Sequence, residues 1–508
     1  MNNTKASHPK GLYFLFFTEM WERFSYYGMR AIFILFMTKV LLMSDAEASE
    51  IYGSYTGLVY LTPLLGGYLC DKYLGNRRSI VVGGFLMAVG QFFMFLSASV
   101  GQDGGIGLMW TGLTALIIGN GFFKPNISTM VGQLYPDNDR RIDSAFTIFY
   151  MGINLGAFFS PLVCSSFGDY KWGFLAACIG MLVGLLTFVL FQKTHLMSEE
   201  GKQIGLPVKP MDLKSMLLTL GSIGIIFFML NFKQWFKSDT DIISYFIYGS
   251  MILMPILILT DKSLKKHETY RIIVIFILAF FVIFFWGAFE QAGASLTLFA
   301  DRQTDRYVGS WEMPAEYFQS INPLAVIALA PLFTVLWGFL YKRRLEPSSP
   351  TKMAWGLALV AMGYAVIAFA VHGLGLGDKV SMWWLVGLYV IHTMGELCLS
   401  PIGLSMVSKL APLRLSSLMM GTWFLANAAA NKFAGTLSAL IPPSGQAAEG
   451  AAVKYPSFLG IQITNLYEFF MLFIVMTGVA AAILFVLTRV LQKMMNTEVQ
   501  NDEPDLDR

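Results

Sequence analysis

The segment FLFFTEMWERFSYYGMRAIFILF places charged side chains in a run otherwise made of aromatic and aliphatic residues. At 100° per residue of an α-helix, its polar members fall on one face about 140° wide. These members are Glu19, Glu22, Arg23, Tyr26, Tyr27 and Arg30. Carboxylates and guanidinium groups on one face can bind a charged ligand or pass a proton. The simpler alternative is a local Glu19–Arg23 ion pair that only joins helices.

Three further charges stand alone in apolar surroundings: Lys124 in GNGFFKPN, Glu290 in FFWGAFEQAGASL and Glu396 in VIHTMGELCLSP. Each has a residue nearby that interrupts regular helices. These residues are Pro125, Gly287, Gly293 and Pro401. Because interrupted helices often mark ligand sites in membrane proteins, we expect the three side chains to line a polar interior.

The seven charges comprise four carboxylates and three basic groups. If all are ionised, one carboxylate is in surplus, and one proton would neutralise the set. This count predicts proton coupling. Basic groups can hold a carboxylate and a glutamate can receive an ammonium group, so a zwitterion is the expected guest. His392 lies four residues before Glu396 and could relay a proton, but we favour a hydrogen-bonding role for it.

These side chains need elements that bury them, and the composition indicates membrane helices. Of 508 residues, 55% are apolar and 14% charged, whereas soluble domains are roughly a quarter charged. A helix needs about 20 apolar residues to cross the hydrocarbon layer. We predict fourteen such spans, near residues 12–40, 51–70, 79–98, 107–131, 143–165, 172–192, 213–233, 242–261, 271–300, 322–341, 353–372, 381–408, 415–440 and 459–492.

Groups of six, two and six spans predict an all-α polytopic protein with two six-helix bundles and two extra linker helices. We place the N-terminal bundle at 1–192, the linker and its helices at 193–270, the C-terminal bundle at 271–492 and a tail at 493–508. LTPLLGGYLCDKYLGNRR and LAPLFTVLWGFLYKRR form a faint repeat, as in proteins whose halves rock about a central site. Lys and Arg placement predicts that both termini are cytoplasmic. In the first of these runs, Asp71 is expected to cap a helix or pair near Arg77 and Arg78.

Several function classes are disfavoured. The net charge of +3 is small and the basic residues are scattered, so we expect no nucleic-acid partner. The four cysteines lack metal or redox spacing and are read as packing residues. Because the sequence lacks a nucleotide-binding loop, a metalloprotease motif and a nucleophile elbow, we expect neither an enzyme nor a metal or other cofactor.

The charged segments also carry a set of recognisable motifs. EMWERF followed by YYG in the first span is similar to an ExxERF signature, while GNGFFKPN, FTIFYMGINLGA and GEL match patterns of the fourth, fifth and tenth spans. Together they resemble the proton-dependent oligopeptide transporters, a family of the major facilitator superfamily, over nearly the whole chain. The resemblance implies the major facilitator fold and import of di- and tripeptides with protons across a bacterial inner membrane, by a protein that is monomeric by default.

The resemblance also implies roles for individual residues. Arg23 and Lys124 would attract the carboxyl end of the peptide, and Glu396, with Asn154 and Asn322, its amino end. Glu290 would bind near the substrate and pair with Arg30 as a gate that protonation loosens, and Glu19 and Glu22 would share proton coupling with Arg23 and Lys124. The residues expected to shape the side-chain pockets are Tyr26, Tyr27, Tyr60, Trp286 and Trp423.

One feature departs from the family. Animal members carry a histidine in the second span, whereas IYGSYTGLVYLTP has none, which shifts the expected proton handling to the carboxylates. Two alternatives to peptide import stay open. One is a carrier of nitrate or another small anion from the same family, and the other is a membrane sensor that binds peptides without moving them.

Overall fold

The structure is a computed structural model that describes residues 7–136, 139, 141–198, 201–207, 212–236, 240–375, 377–443 and 455–495. Within this part of the chain, fourteen α-helices have 18 residues or more. They are α1 (Lys10–Lys39), α2 (Asp45–Leu69), α3 (Gly75–Val100), α4 (Gln102–Gln133), α5 (Ile142–Cys164), α6 (Tyr170–His195), α7 (Leu213–Phe236), α8 (Ile242–Leu259), α9 (Lys266–Phe289), α11 (Ile321–Lys342), α12 (Ser349–Val371), α13 (Met382–Leu410), α14 (Ser416–Ser438) and α15 (Leu466–Met495), and a shorter α10 (Ser295–Arg302) follows α9. The predicted tail lies outside the described residues from position 496 onward.

Short strands occupy the connections. These are β1 (Thr304–Asp305), β2 (Tyr307–Val308), β3 (Trp311–Glu312), β4 (Val380–Ser381), β5 (Ser457–Phe458) and β6 (Ile461–Gln462). β1 pairs with β4 in parallel, and β5 pairs with β6 as a hairpin. The sequence does not predict these strands, because pairs of residues are too short to show an alternating pattern.

Most of the long helices are apolar enough to cross a membrane. In the described part of the chain, ten of them combine sufficient length with sufficient hydropathy. α1 is not among them, since Glu19, Glu22 and Arg23 lower the hydropathy of a helix that is otherwise apolar. The fourteen long helices correspond one to one with the predicted spans.

Three predicted helix interruptions have different outcomes. α9 ends at Phe289 and is followed by a 3-10 segment at Glu290–Gly293, as expected from the flanking glycines. By contrast, α4 and α13 run through Pro125 and Pro401 without ending. A proline removes one helix hydrogen bond, which neighbouring groups in a bundle can compensate.

The connection between α2 and α3 is helical rather than a loop. A π-helical segment, Cys70–Leu74, joins the two helices. Arg77 is buried and donates hydrogen bonds to the Leu196 carbonyl at 2.6 Å and the Ile204 carbonyl at 2.7 Å, so it binds the stretch that follows α6. In the part of the chain that the structure describes, Asp71 is exposed and forms no ion pair. Its predicted pairing near Arg77 and Arg78 is therefore wrong, and its alternative role as a helix cap stays a prediction.

The chain divides into two compact units. The first contains Met1–Ser44, Leu58–Ile243 and Val308–Ile327, and the second contains Asp45–Gly57, Ser244–Tyr307 and Ala328–Arg508. One boundary falls inside α2, whose first half belongs to the second unit. The bundle limits proposed from the sequence stay predictions.

Glycines bring α3 and α4 of the first unit into backbone contact. A Cβ added to Gly83 would lie 2.6 Å from the carbonyl oxygen of Gly119, and one added to Gly90 would lie 2.8 Å from that of Gly112. No larger residue fits there unless the backbones move apart. Small residues permit such close approach between membrane helices, whose association depends on packing.

Candidate functional site

The polar face predicted for α1 is buried in the first unit. Arg23 Nε lies 2.9 Å from Glu19 Oε1 and 2.5 Å from Glu22 Oε2. The three side chains are 0 to 4% exposed. The local i, i+4 ion pair therefore exists, but it is part of a cluster in which two carboxylates share one guanidinium group.

α4 adds two polar groups to this cluster. The Asn120 amide donates a hydrogen bond to Glu22 Oε1 at 3.2 Å, and both side chains are buried. Lys124, one helical turn further along, is close enough to Glu19 and Glu22 for electrostatic attraction. Its ammonium nitrogen lies 4.3 Å from the ring centre of Tyr60 on α2, a cation–π contact. Predicted residues from three helices thus come together in one unit.

The cluster has hydrogen-bonding capacity that the described residues do not use. Glu19 Oε2 and Arg23 Nη2 are buried and lack a hydrogen-bond partner in that part of the chain. Leaving a buried polar atom unpaired costs about 1–3 kcal/mol, and more for a charged group. Such atoms favour a ligand or solvent as an additional partner.

Close helix contacts hold the cluster in place. A Cβ added to Gly156 of α5 would lie 2.3 Å from the Met20 carbonyl oxygen and 3.0 Å from Arg23 Cβ. On the opposite side of α1, the Gln91 amide of α3 donates to the Ser25 carbonyl at 3.0 Å. Asn120, Gln91 and Gly156 were not among the predicted site residues, although Asn120 and Gly156 lie inside recognised motifs. Spacing from Lys124 was the available signal for Asn120, which precedes it by four residues.

The other predicted residues of the first unit lie near the cluster's helices. The guanidinium carbons of Arg23 and Arg30 lie 5.4 Å from the Tyr26 ring and 5.8 Å from the Tyr27 ring, respectively. These two rings pack edge to face. Separately, Asn154 of α5 donates to the Tyr150 carbonyl of its own helix at 2.9 Å. Asn322 is half-buried in the first turn of α11.

The second unit places Glu290 at the break after α9. Glu290 is 4% exposed. A helix end leaves backbone carbonyls without helical partners, and here side chains satisfy them. Tyr364 donates to the Ala288 carbonyl at 2.7 Å, and Gln291 donates to the Gly287 carbonyl at 2.9 Å. Gln291 also reaches the Ala434 carbonyl of α14, so the break is held rigidly beside that helix.

Aromatic side chains surround this break. Trp286 packs edge to face against Phe285 and Phe289, with ring centres 5.1 Å apart in both pairs. Trp423 of α14 is buried, and a Cβ added to Gly403 of α13 would lie 2.4 Å from its ring. The structure thus accounts for Trp423 as a packing residue, and its predicted pocket role stays a prediction.

Glu396 is half-buried on α13. His392, one turn before it, is buried and lies 3.2 Å from the Val360 carbonyl through Nε2. Its ring centre lies 4.8 Å from that of Tyr364. These contacts agree with the hydrogen-bonding role favoured for His392.

Lys432 of α14 is a further charged residue that is absent from the set of seven. It is 1% exposed, and its ammonium group donates to Ser54 Oγ at 2.8 Å. With Lys432 added to the seven charges selected from the sequence, four carboxylates stand against four basic groups, so the surplus carboxylate inferred from that selection is wrong.

Comparison with known proteins decides what kind of protein contains this site. A family model described as "PTR2: POT family" matches residues 77–450, well over half of the chain. The chain belongs to the POT family. Members of this family are transporters, so this POT protein is a membrane-spanning transporter and not an enzyme. The predicted family and the all-α major facilitator fold are confirmed.

Individual relatives match the POT protein over most of its length. It is 38% identical to "Peptide transporter YePEPT" of Yersinia enterocolitica over 455 residues, which cover 85% of this chain and 88% of that one. It is 32% identical to "Dipeptide and tripeptide permease A" of Proteus mirabilis, covering 92% and 94% of the two chains. A solved POT family transporter "in complex with thioalcohol conjugated peptide" is 31% identical, with a TM-score of 0.82 and coverage of 96% and 97%.

Proposed function

We propose that this POT transporter imports di- and tripeptides together with protons by alternating access. Relatives named peptide transporters and dipeptide and tripeptide permeases support the substrate class. The chemistry of the candidate residues supports it as well, because a peptide is a zwitterion whose ends need one basic and one acidic partner. An anion carrier would not need the buried carboxylates on both units.

The observation that carries the proposal is the buried cluster on α1. Arg23 is held by Glu19 and Glu22, yet its Nη2 atom has no hydrogen-bond partner among the described residues. Because a peptide carboxylate could accept from that atom, we assign the carboxyl end to Arg23 and Lys124. Tyr26, Tyr27 and Tyr60 would shape the adjoining pockets.

The amino end of the peptide is assigned to Glu396, with Asn154 and Asn322 as neutral partners. Glu290 follows a helix break that Gln291 and Tyr364 stabilise, so its backbone position is well defined. We propose Glu290 as a second acidic contact and as the coupling partner of Arg30. Trp286 and Trp423 would bound the side-chain space.

Proton coupling is assigned to Glu19, Glu22, Arg23, Arg30, Lys124 and Glu290. The protonation of two buried carboxylates that share one guanidinium group depends strongly on any further charge nearby, since little water screens the interaction. A peptide carboxylate bound beside Arg23 and Lys124 would neutralise part of the positive charge that stabilises the ionised forms of Glu19 and Glu22. One of these two carboxylates would then bind a proton, and that proton would cross the membrane together with the peptide.

We further propose a bacterial inner-membrane location with both termini in the cytoplasm, based on the distribution of Lys and Arg. The protein is expected to act as a monomer, with protons as its coupling ions and no other cofactor.

Reconstituted liposomes test this function. The interior is made alkaline and negative, and labelled dialanine is followed in the presence of unlabelled dipeptide, free amino acid or nitrate. We expect uptake that depends on the gradient and that only the dipeptide inhibits. Uptake that ignores the proton gradient would remove the coupling, competition by nitrate alone would change the substrate class, and binding without any uptake would indicate a sensor.

Glu290→Gln separates the proton step from peptide movement. This variant should lose gradient-driven uptake but keep part of the exchange of dialanine across the membrane, because only protonation is blocked. Glu316→Gln is the matched control, since Glu316 is also a buried carboxylate but lies outside the proposed set. Unimpaired gradient-driven uptake by Glu290→Gln would contradict its assignment.

A further inference from the structure

Lys432 is a fully buried lysine that the proposed binding and coupling roles do not use. It lies in α14 and is among the largest side chains with less than 2% exposure. A charged group in the apolar part of a membrane costs several kcal/mol unless it has polar partners, and such groups are usually functional. Its ammonium group donates to Ser54 Oγ, 2.8 Å away on α2.

The two helices are unusually close around this lysine. A Cβ added to Gly53 would lie 2.7 Å from the Cα of Gly435, and one added to Gly435 would lie 2.6 Å from the Cα of Gly53. One turn away, the hydroxyl oxygens of Ser49 and Ser438 are 2.9 Å apart. We call this contact, formed by Ser49, Gly53 and Ser54 with Lys432, Gly435 and Ser438, the α2–α14 seam.

Through the seam, α14 contacts only the first half of α2. Asp45–Gly57 belongs to the second unit together with α14, whereas the chain from Leu58 onward belongs to the first unit. A transporter that works by alternating access changes the association of such shared helices during its cycle. Under the alternating access proposed above, the seam would be closed in one state of the cycle, as described here, and open in another.

We propose that Lys432 is a positioning residue that holds the α2–α14 seam closed, and that the seam opens during each transport cycle. Membrane helices gain no hydrophobic driving force from associating, so packing and interhelical hydrogen bonds decide whether the seam is closed. The bond from Lys432 to Ser54 is the charged one and contributes more than the neutral bond between Ser49 and Ser438. This inference rests on the proposed function only for the opening step.

Disulfide cross-linking measures the seam directly. Ser49→Cys and Ser438→Cys are combined in the full chain, an oxidant is added to reconstituted vesicles, and the cross-linked peptide is quantified by mass spectrometry. Chain treated in the same way without these two substitutions controls for the native cysteines. We expect fast cross-linking, loss of dialanine uptake in the oxidised protein, and recovery of uptake after reduction.

Substitutions in this double-cysteine background test the lysine. Lys432→Met should slow cross-linking about tenfold, as expected when a charged hydrogen bond is lost. Ser54→Ala should have a similar effect, whereas Ser54→Thr keeps the hydroxyl and should restore the rate. Lys352→Met is the matched control, because Lys352 is also buried but pairs with Glu346 at the start of α12.

Each outcome bears on one part of the inference. If the cysteines do not cross-link in any background, or if Lys432→Met cross-links as fast as the parent, the positioning role is refuted. Full uptake by the cross-linked protein would refute the opening step. If the seam behaves as expected but the reduced parent moves no dialanine, the proposed substrate is wrong while the role of Lys432 stands.

Discussion

Gly156→Ala is the perturbation whose effect on the site can best be worked out from the structure. The added Cβ would lie 2.3 Å from the Met20 carbonyl oxygen, whereas ordinary contacts begin at 3.4 Å. The obstacle is backbone, so α1 must move away from α5 by about 1 Å, and overpacking of this kind costs about 1–3 kcal/mol. Replacing glycine in a helix returns about 0.5–1 kcal/mol. The net destabilisation should be about 0–2.5 kcal/mol.

Gly156→Ala should also weaken peptide binding. The shift of α1 moves Arg23, because the added Cβ would also lie 3.0 Å from Arg23 Cβ. A displacement of about 1 Å in a positioned group can reduce activity by roughly two orders of magnitude. We therefore expect at least about tenfold weaker binding of dialanine, measured by calorimetry in detergent, together with a lower unfolding temperature.

Gly107→Ala is the control for this experiment. Gly107 lies in α4, and nothing is within 4 Å of a Cβ added there. That variant should unfold at or slightly above the temperature of the parent and bind dialanine normally. If Gly156→Ala is as stable as its parent and binds as tightly, the inferred contact between α5 and the Arg23 cluster is incorrect.

Four other predictions concern separate parts of the chain. Glu396→Ala should weaken binding of ordinary dipeptides far more than of dipeptides with a blocked amino end, and equal losses in a competition assay would argue against an amino-end contact. Asn120→Ala should lower stability to thermal unfolding by about 1.5–3 kcal/mol, because a buried carboxylate loses a donor; an unchanged unfolding temperature would contradict this. Arg77→Lys should speed proteolysis within residues 196–198 and 201–207, because lysine cannot make the forked contacts to Leu196 and Ile204, while exposed Arg78→Lys should leave the rate unchanged. Asp169 accepts a hydrogen bond from the Lys171 amide at the start of α6, so Asp169→Ala should lower the free energy of unfolding by about 0.5–1 kcal/mol at neutral pH. Although partial burial opposes ionisation, the Lys171 contacts lower the pKa of Asp169. The difference in stability should therefore be present above the ordinary pKa of 3.8 and vanish as the pH falls below the lowered value.

Long apolar runs made the helices predictable. Each predicted span has a matching helix, since a membrane helix must satisfy all its backbone groups internally and its length follows from the bilayer. The failures concern local breaks. Pro125 and Pro401 did not end their helices, and Cys70–Leu74 is helical where charges suggested a loop. Tertiary partners decide such positions, and a single sequence does not reveal them.

The sequence predicts the charged residues of the site but not the neutral residues that position them. Glu19, Glu22 and Arg23 were evident because charges are conspicuous in apolar segments. Asn120 was not, because a neutral amide carries little signal until its partner is known. The proton argument from charge counting failed at Lys432, which shows that such a count is sensitive to one residue. Assignment of the charged groups to peptide and protons stays a prediction.

The glycine contacts between α3 and α4 have a consequence for how the first unit can move. At Gly83 with Gly119, and again at Gly90 with Gly112, the backbones of the two helices meet without side chains between them. Sliding either helix along the other would drive a neighbouring side chain into a carbonyl oxygen. The pair should therefore move as one rigid body, and any bending in this unit should occur in its other helices, among them α1, α5, α6 and α7.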